Sequence, residues 1–206
     1  MLYVVATPIG NLEDITIRAL NVLKSVDLIA CEDTRHAGIL LKKYEISKRL
    51  ISFHSHSNDF KVREIVEGLK AGQNVALISD AGTPGISDPG YKLVSAAREA
   101  SVQIVAIPGA SAFLTALSGS GLPINQFLYL GFLPQKKGRQ TLLNKLVEEE
   151  RTVVFYESTH RILKTLSELN EKMPDRNVVI ARELTKIYEE FQIGKPAELL
   201  EIYKKK

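Results

Sequence analysis

The sequence has little cysteine, no long apolar run and almost no net charge. Its 206 residues include one cysteine, Cys31, so no internal disulfide can form, which favours a reducing, cytoplasmic environment. No apolar run reaches the ~18 residues that a membrane span needs, and we expect no membrane association. The net charge of +3 equals the three lysines at 204–206. Charge balance alone therefore does not indicate a nucleic-acid-binding protein, although QKKGR (135–139) is a candidate basic face.

Several nucleotide-binding and hydrolase motifs are also missing. The chain has no GxxxxGK[ST] phosphate loop and no GxGxxG fingerprint after its first apolar run. Ser111 lies in GASA, which lacks the GxSxG pattern of a nucleophile elbow. These absences disfavour an ATP-phosphate site, a plain nicotinamide site and a serine hydrolase. His54 and His56 form an HxH pair, but without a third ligand at a recognisable spacing we predict no metal site.

What the chain does contain is a regular alternation of short apolar runs and helix-period segments. LYVVA (2–6), DLIAC (27–31) and NVALIS (74–79) are examples of the runs. The alternation predicts βαβ units with a mostly parallel sheet, and the continuous apolarity predicts strands that are buried on both faces. The rhythm changes after GSGLP (119–123). We therefore place a boundary between an N-terminal α/β domain, residues 1–119, and a C-terminal α/β domain, residues 120–206, whose last strand is predicted over 187–194.

Polar residues are concentrated directly after the apolar runs. In parallel α/β sheets, ligands bind beyond the carboxyl ends of the strands. Small, charged or hydrogen-bonding residues occupy seven such positions: TPIGN (7–11), EDTR (32–35), HSHSN (54–58), SDAGTPGISD (79–88), PGASA (108–112), ESTHR (157–161) and RELTK (182–186). The opposite ends of the strands look like plain turns. This asymmetry predicts a functional site on one face of the molecule.

Each polar cluster also has a purely structural interpretation. Glycines such as Gly82 supply positive φ in turns. Asp14, Asp33 and Asp88 are candidate helix N-caps, and for Asp14 capping is the favoured interpretation. Asp80 directly follows a buried strand, where a carboxylate is costly unless it accepts backbone N–H bonds or binds a ligand. The sequence leaves open whether Asp80 contacts a ligand or shapes the turn.

Several blocks together resemble one enzyme family. VVATPIGNLEDITIRAL, CEDTR, SDAGTPGISDPG, PGASA, FYESTHRI and ARELTKIYEEF are similar to the small-subunit ribosomal RNA (cytidine-2′-O)-methyltransferases. These enzymes belong to the tetrapyrrole-methylase-like, class III group of S-adenosylmethionine-dependent methyltransferases. The resemblance runs from Leu2 to about Gly194. It implies two α/β domains of tetrapyrrole-methylase type, with a mostly parallel N-terminal sheet, a mixed C-terminal sheet and S-adenosylmethionine in the cleft between the domains.

The resemblance also implies a set of cofactor-binding residues, all at or near strand ends. They are Pro8, Ile9, Asp80, Ala81, Gly82, Thr83, Ile86, Ser111 and Ala112 in the N-terminal domain, and Leu133, Tyr156, Ala181 and Leu184 in the C-terminal domain. It further implies a homodimer that acts on small-subunit ribosomal RNA or on the assembled small ribosomal subunit. The chain stops before a further strand and a small helical domain that are common in the family, so we expect less complete RNA engagement.

Methyl transfer to a ribose 2′-hydroxyl benefits from a nearby proton acceptor. Candidate bases are Glu32, Asp33, Glu157 and Glu183, with Lys186 and His54 less favoured. We assign four residues to the acceptor side of the site: Glu32, Arg35, Glu183 and Lys186. Tyr156 or Phe132 is either a stacking partner for an unstacked nucleotide or a core aromatic residue. Two alternatives stay open: a class III methyltransferase acting on a tetrapyrrole or a modified protein side chain, and a non-catalytic nucleotide-binding module.

Overall fold

A computed structural model describes residues 1–54 and 59–206. The chain divides into two compact units, Met1–Ala112 and Phe113–Lys206, and each unit is described by itself. The domain boundary predicted from the sequence, between residues 119 and 120, lies at the end of a helix that begins at the junction of the two units. As the limit between separately folding domains, that boundary stays a prediction.

The first unit is built on a five-stranded sheet with the order β3-β2-β4-β1-β5. Its strands are β1 (Leu2–Val5), β2 (Leu28–Cys31), β3 (Arg49–Ser52), β4 (Val75–Leu77) and β5 (Ile104–Ile107). Every neighbouring pair is parallel. Strand β1 lies between β4 and β5, and its Leu2 pairs with Val75 on one side and with Ile104 on the other. The predicted parallel sheet is therefore confirmed.

Helices follow the strands of this unit: α1 (Ile17–Ser25), α2 (Thr34–Lys43), α3 (Asp59–Lys70) and α4 (Gly90–Glu99). Thr16 caps α1, since its side chain accepts a hydrogen bond from the Ala19 N–H. The expectation that Asp14 caps this helix is wrong, because Asp14 ends a short 3-10 turn, Leu12–Asp14, that precedes it. Asp33 caps α2 as predicted.

Two apolar clusters sandwich the sheet. On one face Leu2 and Val75 pack with Leu93 of α4, and all three are fully buried. On the other face Val5 and Leu23 belong to a second fully buried cluster that joins α1 and α2 to the strands. The inner strands β1, β2 and β4 are thus buried on both faces, as their continuous apolar sequences predicted. The edge strands β3 and β5 are only partly buried.

The second unit combines parallel and antiparallel pairing in two separate two-stranded ladders. Strand β6 (Phe127–Phe132) pairs in parallel with β7 (Thr152–Tyr156), and β8 (Val178–Arg182) pairs antiparallel with β9 (Glu190–Gly194). The strand predicted from residue 187 begins only at Glu190. The residues before it form a tight turn, so the apolar pair at 187–188 does not extend the strand.

Four helices accompany these ladders: α5 (Ala112–Gly119), α6 (Arg139–Val147), α7 (Ile162–Lys172) and α8 (Pro196–Lys204). The core of the second unit contains Leu133, Leu143, Leu146, Leu169 and Met173. None of the helices in the described parts of the chain has the length and apolar character that crossing a membrane requires.

The core of the second unit gives a first prediction. Leu143 is fully buried and lies on the same helix as Val147, whose exposed fraction is 50%. We expect Leu143→Ala to lower the free energy of unfolding by about 3 kcal/mol, because it removes buried methyl groups and leaves a cavity. The control, Val147→Ala, should change it by no more than about 0.5 kcal/mol. Guanidinium unfolding followed by circular dichroism measures both, and equal effects would contradict the core assignment.

Candidate functional site

Two backbone hydrogen bonds tie the loop after β1 to the glycine-rich loop after β4. The Thr7 N–H donates to the Gly82 carbonyl at 2.9 Å, and the Gly82 N–H donates to the Thr7 carbonyl at 3.0 Å. The Thr7 hydroxyl also donates to the Ser79 carbonyl at 3.0 Å. Thr7 is 3% exposed, so these bonds are shielded from water. The sheet thus continues, by one bridge, beyond the ends of its strands.

Gly82 lies where three loops meet. Its φ of +84° is in the left-handed region, and a Cβ added there would lie 3.4 Å from Ile9 Cγ2 and 3.7 Å from the Ala110 carbonyl oxygen. The Thr83 hydroxyl donates to the same Ala110 carbonyl at 3.1 Å. The structure therefore brings together the predicted residues Ile9, Gly82 and Thr83, and joins them to the loop after β5.

Gly109 was not among the predicted site residues, although it stands at the same edge. A Cβ at this position would lie 2.9 Å from the Ala6 Cβ, which is closer than side chains approach each other. The loop after β5 can follow its path beside β1 only with glycine here. The sequence feature that could have identified Gly109 is its position after Pro108, directly beyond an apolar run.

Asp80 connects the glycine-rich loop to the loop after β2. Its Oδ1 accepts a hydrogen bond from the Asp33 backbone N–H at 3.1 Å, and the residue is half-buried. The question that the sequence left open thus has a partial answer, since one carboxylate oxygen holds the neighbouring loop. Burial and the carboxylates of Asp80 and Asp33 raise the pKa of the Cys31 thiol to about 11.

Glu32 lies in the same negative environment. Burial raises the pKa of its carboxyl group, and the nearby carboxylates of Asp80 and Asp88 raise it further, while His54 acts in the opposite direction. A half-buried carboxylate with a raised pKa holds protons more readily than an exposed glutamate does. Glu32 is therefore suited to accept a proton from a bound hydroxyl group.

Asp88 has a structural task at the far end of the glycine-rich loop. Its carboxylate accepts hydrogen bonds from the Gly85 N–H at 2.9 and 2.8 Å and from the Gly90 N–H at 2.7 Å. Gly90 is the first residue of α4, and the N-cap position of that helix is Pro89. The expectation that Asp88 is the N-cap is therefore wrong by one residue, although its carboxylate closes the loop and supports the start of the helix. Ser87, with a φ of 64°, completes the turn.

Arg35 is placed at the surface beside Asp33. Its Nη2 lies 2.6 Å from Asp33 Oδ2, and its side chain is 90% exposed. The hydrogen bond from the Arg35 side chain holds the pKa of the Asp33 carboxyl well below its usual range. Arg35 is thus a solvent-facing cation at the edge of the site, available to a large ligand.

In the second unit, Glu183 and Lys186 form an exposed ion pair, with Lys186 Nζ 3.2 Å from Glu183 Oε1. They belong to the turn between β8 and β9, in which Glu183 and Thr185 have positive φ values of 52° and 67°. The Glu189 carboxylate accepts a hydrogen bond from the Thr185 N–H at 2.6 Å. The turn therefore holds both predicted acceptor residues next to each other.

Tyr156 ends β7 inside a row of aromatic rings. Its ring centroid lies 5.9 Å from that of Tyr129 and 5.3 Å from that of Phe132. Burial, followed by the effect of Tyr129, raises the pKa of the Tyr156 hydroxyl to about 12. Leu133, another predicted cofactor residue, has its side chain in the core at 2% exposure, so that side chain does not face a ligand.

The other predicted cofactor residues differ in exposure. Pro8 and Ser111 are buried, Ala112, Ala181 and Leu184 are half-buried, and Ala81 and Ile86 are exposed. Ala181 lies within β8 and pairs with Phe191 of β9. In residues 1–54 and 59–206 no group of three or more His, Cys, Asp or Glu side chains is arranged to hold a metal ion. His56 lies outside the described residues.

A buried charge network in the second unit was not foreseen from the sequence. The Arg139 side chain is 4% exposed, and its guanidinium lies 2.7 Å from Glu168 Oε2 and 3.6 Å from Glu157 Oε2. Glu157 also pairs with Arg161 at 2.7 Å, and Thr165 donates to it at 2.6 Å. Both oxygens of the Glu157 carboxylate are thus engaged by protein groups, which leaves Glu32 as the more accessible candidate base.

Comparison with known proteins adds an independent line of observation. The family model described as "Tetrapyrrole (Corrin/Porphyrin) Methylases" matches residues 1–200. A protein named Ribosomal RNA small subunit methyltransferase I from Synechocystis is 51% identical over 196 residues, covering 94% of this chain and 70% of that protein. The protein of the same name from Thermotoga maritima is 48% identical over 205 residues, covering 100% of this chain and 92% of that protein.

Solved structures show the same fold at low sequence identity. A cobalt precorrin-4 methyltransferase of cobalamin biosynthesis superposes with a TM-score of 0.73 at 16% identity, covering 99% of this chain and 89% of that one. The uroporphyrin-III-C-methyltransferase of Thermus thermophilus gives a TM-score of 0.64 at 20% identity, covering 96% and 86%. With a family model that spans almost the whole sequence and relatives that share about half of its residues, the chain belongs to the tetrapyrrole methylase family.

Proposed function

We propose that this chain transfers a methyl group from S-adenosylmethionine to the ribose 2′-oxygen of a cytidine in small-subunit ribosomal RNA. The observation that carries the proposal is the identity of about 50% with proteins named for small-subunit ribosomal RNA methylation. The tetrapyrrole enzymes of the same fold share only 16–20% of its residues. We also propose, from the family resemblance, that the chain is a cytoplasmic homodimer that acts on the assembled small subunit.

The edge of the first unit suits a cofactor that presents no phosphate. Its loops approach each other closely at Gly82 and Gly109, so that backbone rather than long side chains faces a ligand. When bound, S-adenosylmethionine supplies an electrophilic methyl group on a positively charged sulfonium. The carboxylates of Glu32 and Asp80 give this edge the complementary sign. These properties fit the cofactor. Because S-adenosylmethionine carries no phosphate group, its binding does not require a phosphate-binding lysine.

We assign cofactor binding in the first unit to residues of its three connected loops: Pro8, Ile9, Asp80, Ala81, Gly82, Thr83, Ile86, Ser111 and Ala112. Gly82 and Thr83 connect these loops through the contacts already described. In the second unit the assignment of Leu133, Tyr156, Ala181 and Leu184 rests on the family resemblance. Their common feature is a position at or near the end of a strand of that unit.

On the acceptor side, we assign proton acceptance to Glu32. Methyl transfer is an in-line displacement, so most of the acceleration is expected from holding the 2′-oxygen on the axis of the breaking bond. A carboxylate whose pKa lies above the usual value accepts the hydroxyl proton more effectively. We assign the exposed cations of Arg35 and Lys186 to RNA phosphates and Glu183 to the positioning of Lys186.

The glycine-rich loop gives a second prediction, tested by calorimetric titration with S-adenosylmethionine. Gly82→Ala places a Cβ between Ile9 and Ala110, whereas Gly72→Ala places one in open space, although both positions have positive φ, +84° and +92°. Both variants should lose about 1 kcal/mol of stability. Only Gly82→Ala should weaken cofactor binding, by about tenfold or ~1.4 kcal/mol.

The matched pair separates a local effect at the edge from a general loss of stability. If both variants bind S-adenosylmethionine as tightly as the wild-type chain, Gly82 does not face the cofactor. If the wild-type chain itself gives no binding heat, and equilibrium dialysis with the labelled cofactor also detects no binding, the cofactor assignment fails.

The raised pKa of Glu32 gives a third prediction. If Glu32 accepts the proton, its ionised form is the active one, so the rate of methyl transfer should fall as pH falls through its raised pKa. Glu32→Gln should lower kcat about 100-fold and remove this acid limb of the pH profile, and its effect on cofactor affinity should be much smaller than its effect on kcat. Glu64→Gln, at an exposed helix position, is the control. Tritiated-methyl transfer to unmodified small subunits measures both, and an acid limb that survives in Glu32→Gln would contradict the role.

A further inference from the structure

An open depression of about 640 Å³ lies beyond the ends of the parallel strands β6 and β7. One wall is formed by residues 132–135, which end and follow β6, and the other by Ser158, His160 and Arg161, which follow β7. Its volume is within the range of about 300–1,000 Å³ that is usual for small-ligand sites. Apart from Leu133, these residues are not among the cofactor contacts assigned above.

Phe132 is the largest apolar side chain on the wall of the depression. Its exposed fraction is 56%, although it ends a strand. One part of its ring packs against Tyr156, with centroids 5.3 Å apart and ring planes at 44°, and Tyr156 in turn packs edge-on against Tyr129. The ring is therefore held in place from behind while much of its surface faces solvent. A fixed, exposed aromatic ring of this kind is a platform on which a planar base can stack.

The opposite wall is fixed by Arg161. Its Nε donates to the Ser158 hydroxyl and its Nη1 donates to the Leu133 carbonyl, both at 3.2 Å. Its Nη2 pairs with Glu157 at 2.7 Å. Arg161 thus ties the loop after β6 to the loop after β7, and the shape of the depression is set before a ligand arrives.

The buried network behind this wall is electrically balanced. Two guanidinium groups, those of Arg139 and Arg161, face two carboxylates, those of Glu157 and Glu168. Arg139 also donates to the Pro134 carbonyl at 3.1 Å, which anchors the loop that forms the first wall. The network therefore supplies rigidity rather than net charge.

Two lysines, Lys136 and Lys137, form what we call the rim of the depression. Lys136 and Lys137 directly follow the first wall, in the loop between β6 and α6, and both are exposed. Exposed lysines attract phosphate groups without reading sequence. The depression thus combines a stacking platform, rigid polar walls and a cationic rim.

We propose that this depression holds one unstacked nucleotide of the RNA strand that carries the methyl acceptor, with its base on Phe132 and its phosphates near Lys136 and Lys137. The inference rests on the proposed RNA substrate and adds to it a subsite in the second unit. Every base has a planar face, so this subsite contributes affinity and positioning but does not select sequence.

The test measures RNA binding directly and does not require methyl transfer. A fluorescein-labelled, cytidine-containing 12-nucleotide single-stranded RNA is titrated with the full chain and followed by anisotropy. We expect Phe132→Ala to weaken binding about tenfold and Phe132→Tyr, which keeps the ring, to bind like the wild-type chain. Phe127→Ala is the matched control, since Phe127 lies on the same strand, is 36% exposed and is not part of the depression.

A second variant tests the rim. The plot of log affinity against log salt concentration has a negative slope. In the double variant Lys136→Gln with Lys137→Gln, the magnitude of this slope should fall by about 1.4, because two phosphate contacts to a single strand are lost. Cofactor affinity, measured by calorimetry, should not change in any of these variants.

The outcomes distinguish the subsite from the proposed function. Equal RNA affinity for wild type and Phe132→Ala, or no RNA binding by the wild-type chain, would overturn the subsite. A loss of S-adenosylmethionine affinity in Phe132→Ala would also overturn it and assign the depression to the cofactor. Weakened RNA binding in Phe132→Ala, beside a wild-type chain that binds RNA but transfers no methyl group, would support the subsite and contradict the proposed function.

Discussion

The parallel pairing of β1 with both β4 and β5 determines where the polar residues of the first unit lie. Strand β1 is in register with both of these neighbours from Leu2 onwards, so the loops that follow the three strands leave the sheet side by side. The bridge between Thr7 and Gly82 then extends the pairing beyond the strands. Because the link is made by backbone groups, it holds the glycine-rich loop in place while leaving little side-chain bulk at the edge. Asp80 adds a further connection to the loop after β2.

The two units differ in the charge they offer to ligands. The edge of the first unit is negative around Glu32 and Asp80, which suits a cationic sulfonium. Burial, and then the neighbouring carboxylates, raise the pKa of Glu32. The depression of the second unit has a balanced buried network and a rim of lysines, which suits a polyanion. This division matches the proposed reaction, in which a cofactor with a positive sulfur reacts with a negatively charged RNA. It also explains why a net charge of only +3 is compatible with an RNA substrate, since the charges are separated rather than summed.

The sequence predicted the architecture of the first unit well, because parallel strands that are buried on both faces have uninterrupted apolar sequences. It also identified the polar strand ends, including Gly82 and Asp80. Contacts between residues that are far apart in the sequence could not be predicted in this way. Two partners of Arg139, Thr165 and Glu168, lie 26 and 29 residues away, and no local pattern marks such a network. The other errors concern the ends of elements. Thr16 rather than Asp14 caps α1, because Asp14 belongs to a 3-10 turn before the helix. Strand β9 begins only at Glu190, because the residues before it form a tight turn.

The account depends most on the identity of the atom that receives the methyl group. Small ribosomal subunits without the modification, incubated with this chain and S-adenosylmethionine carrying a deuterated methyl group, can be digested to nucleosides and analysed by mass spectrometry. The account predicts a single labelled product, a cytidine whose label stays with the ribose fragment when the glycosidic bond is broken. A label on the base, on another nucleoside or on a ribosomal protein would contradict it.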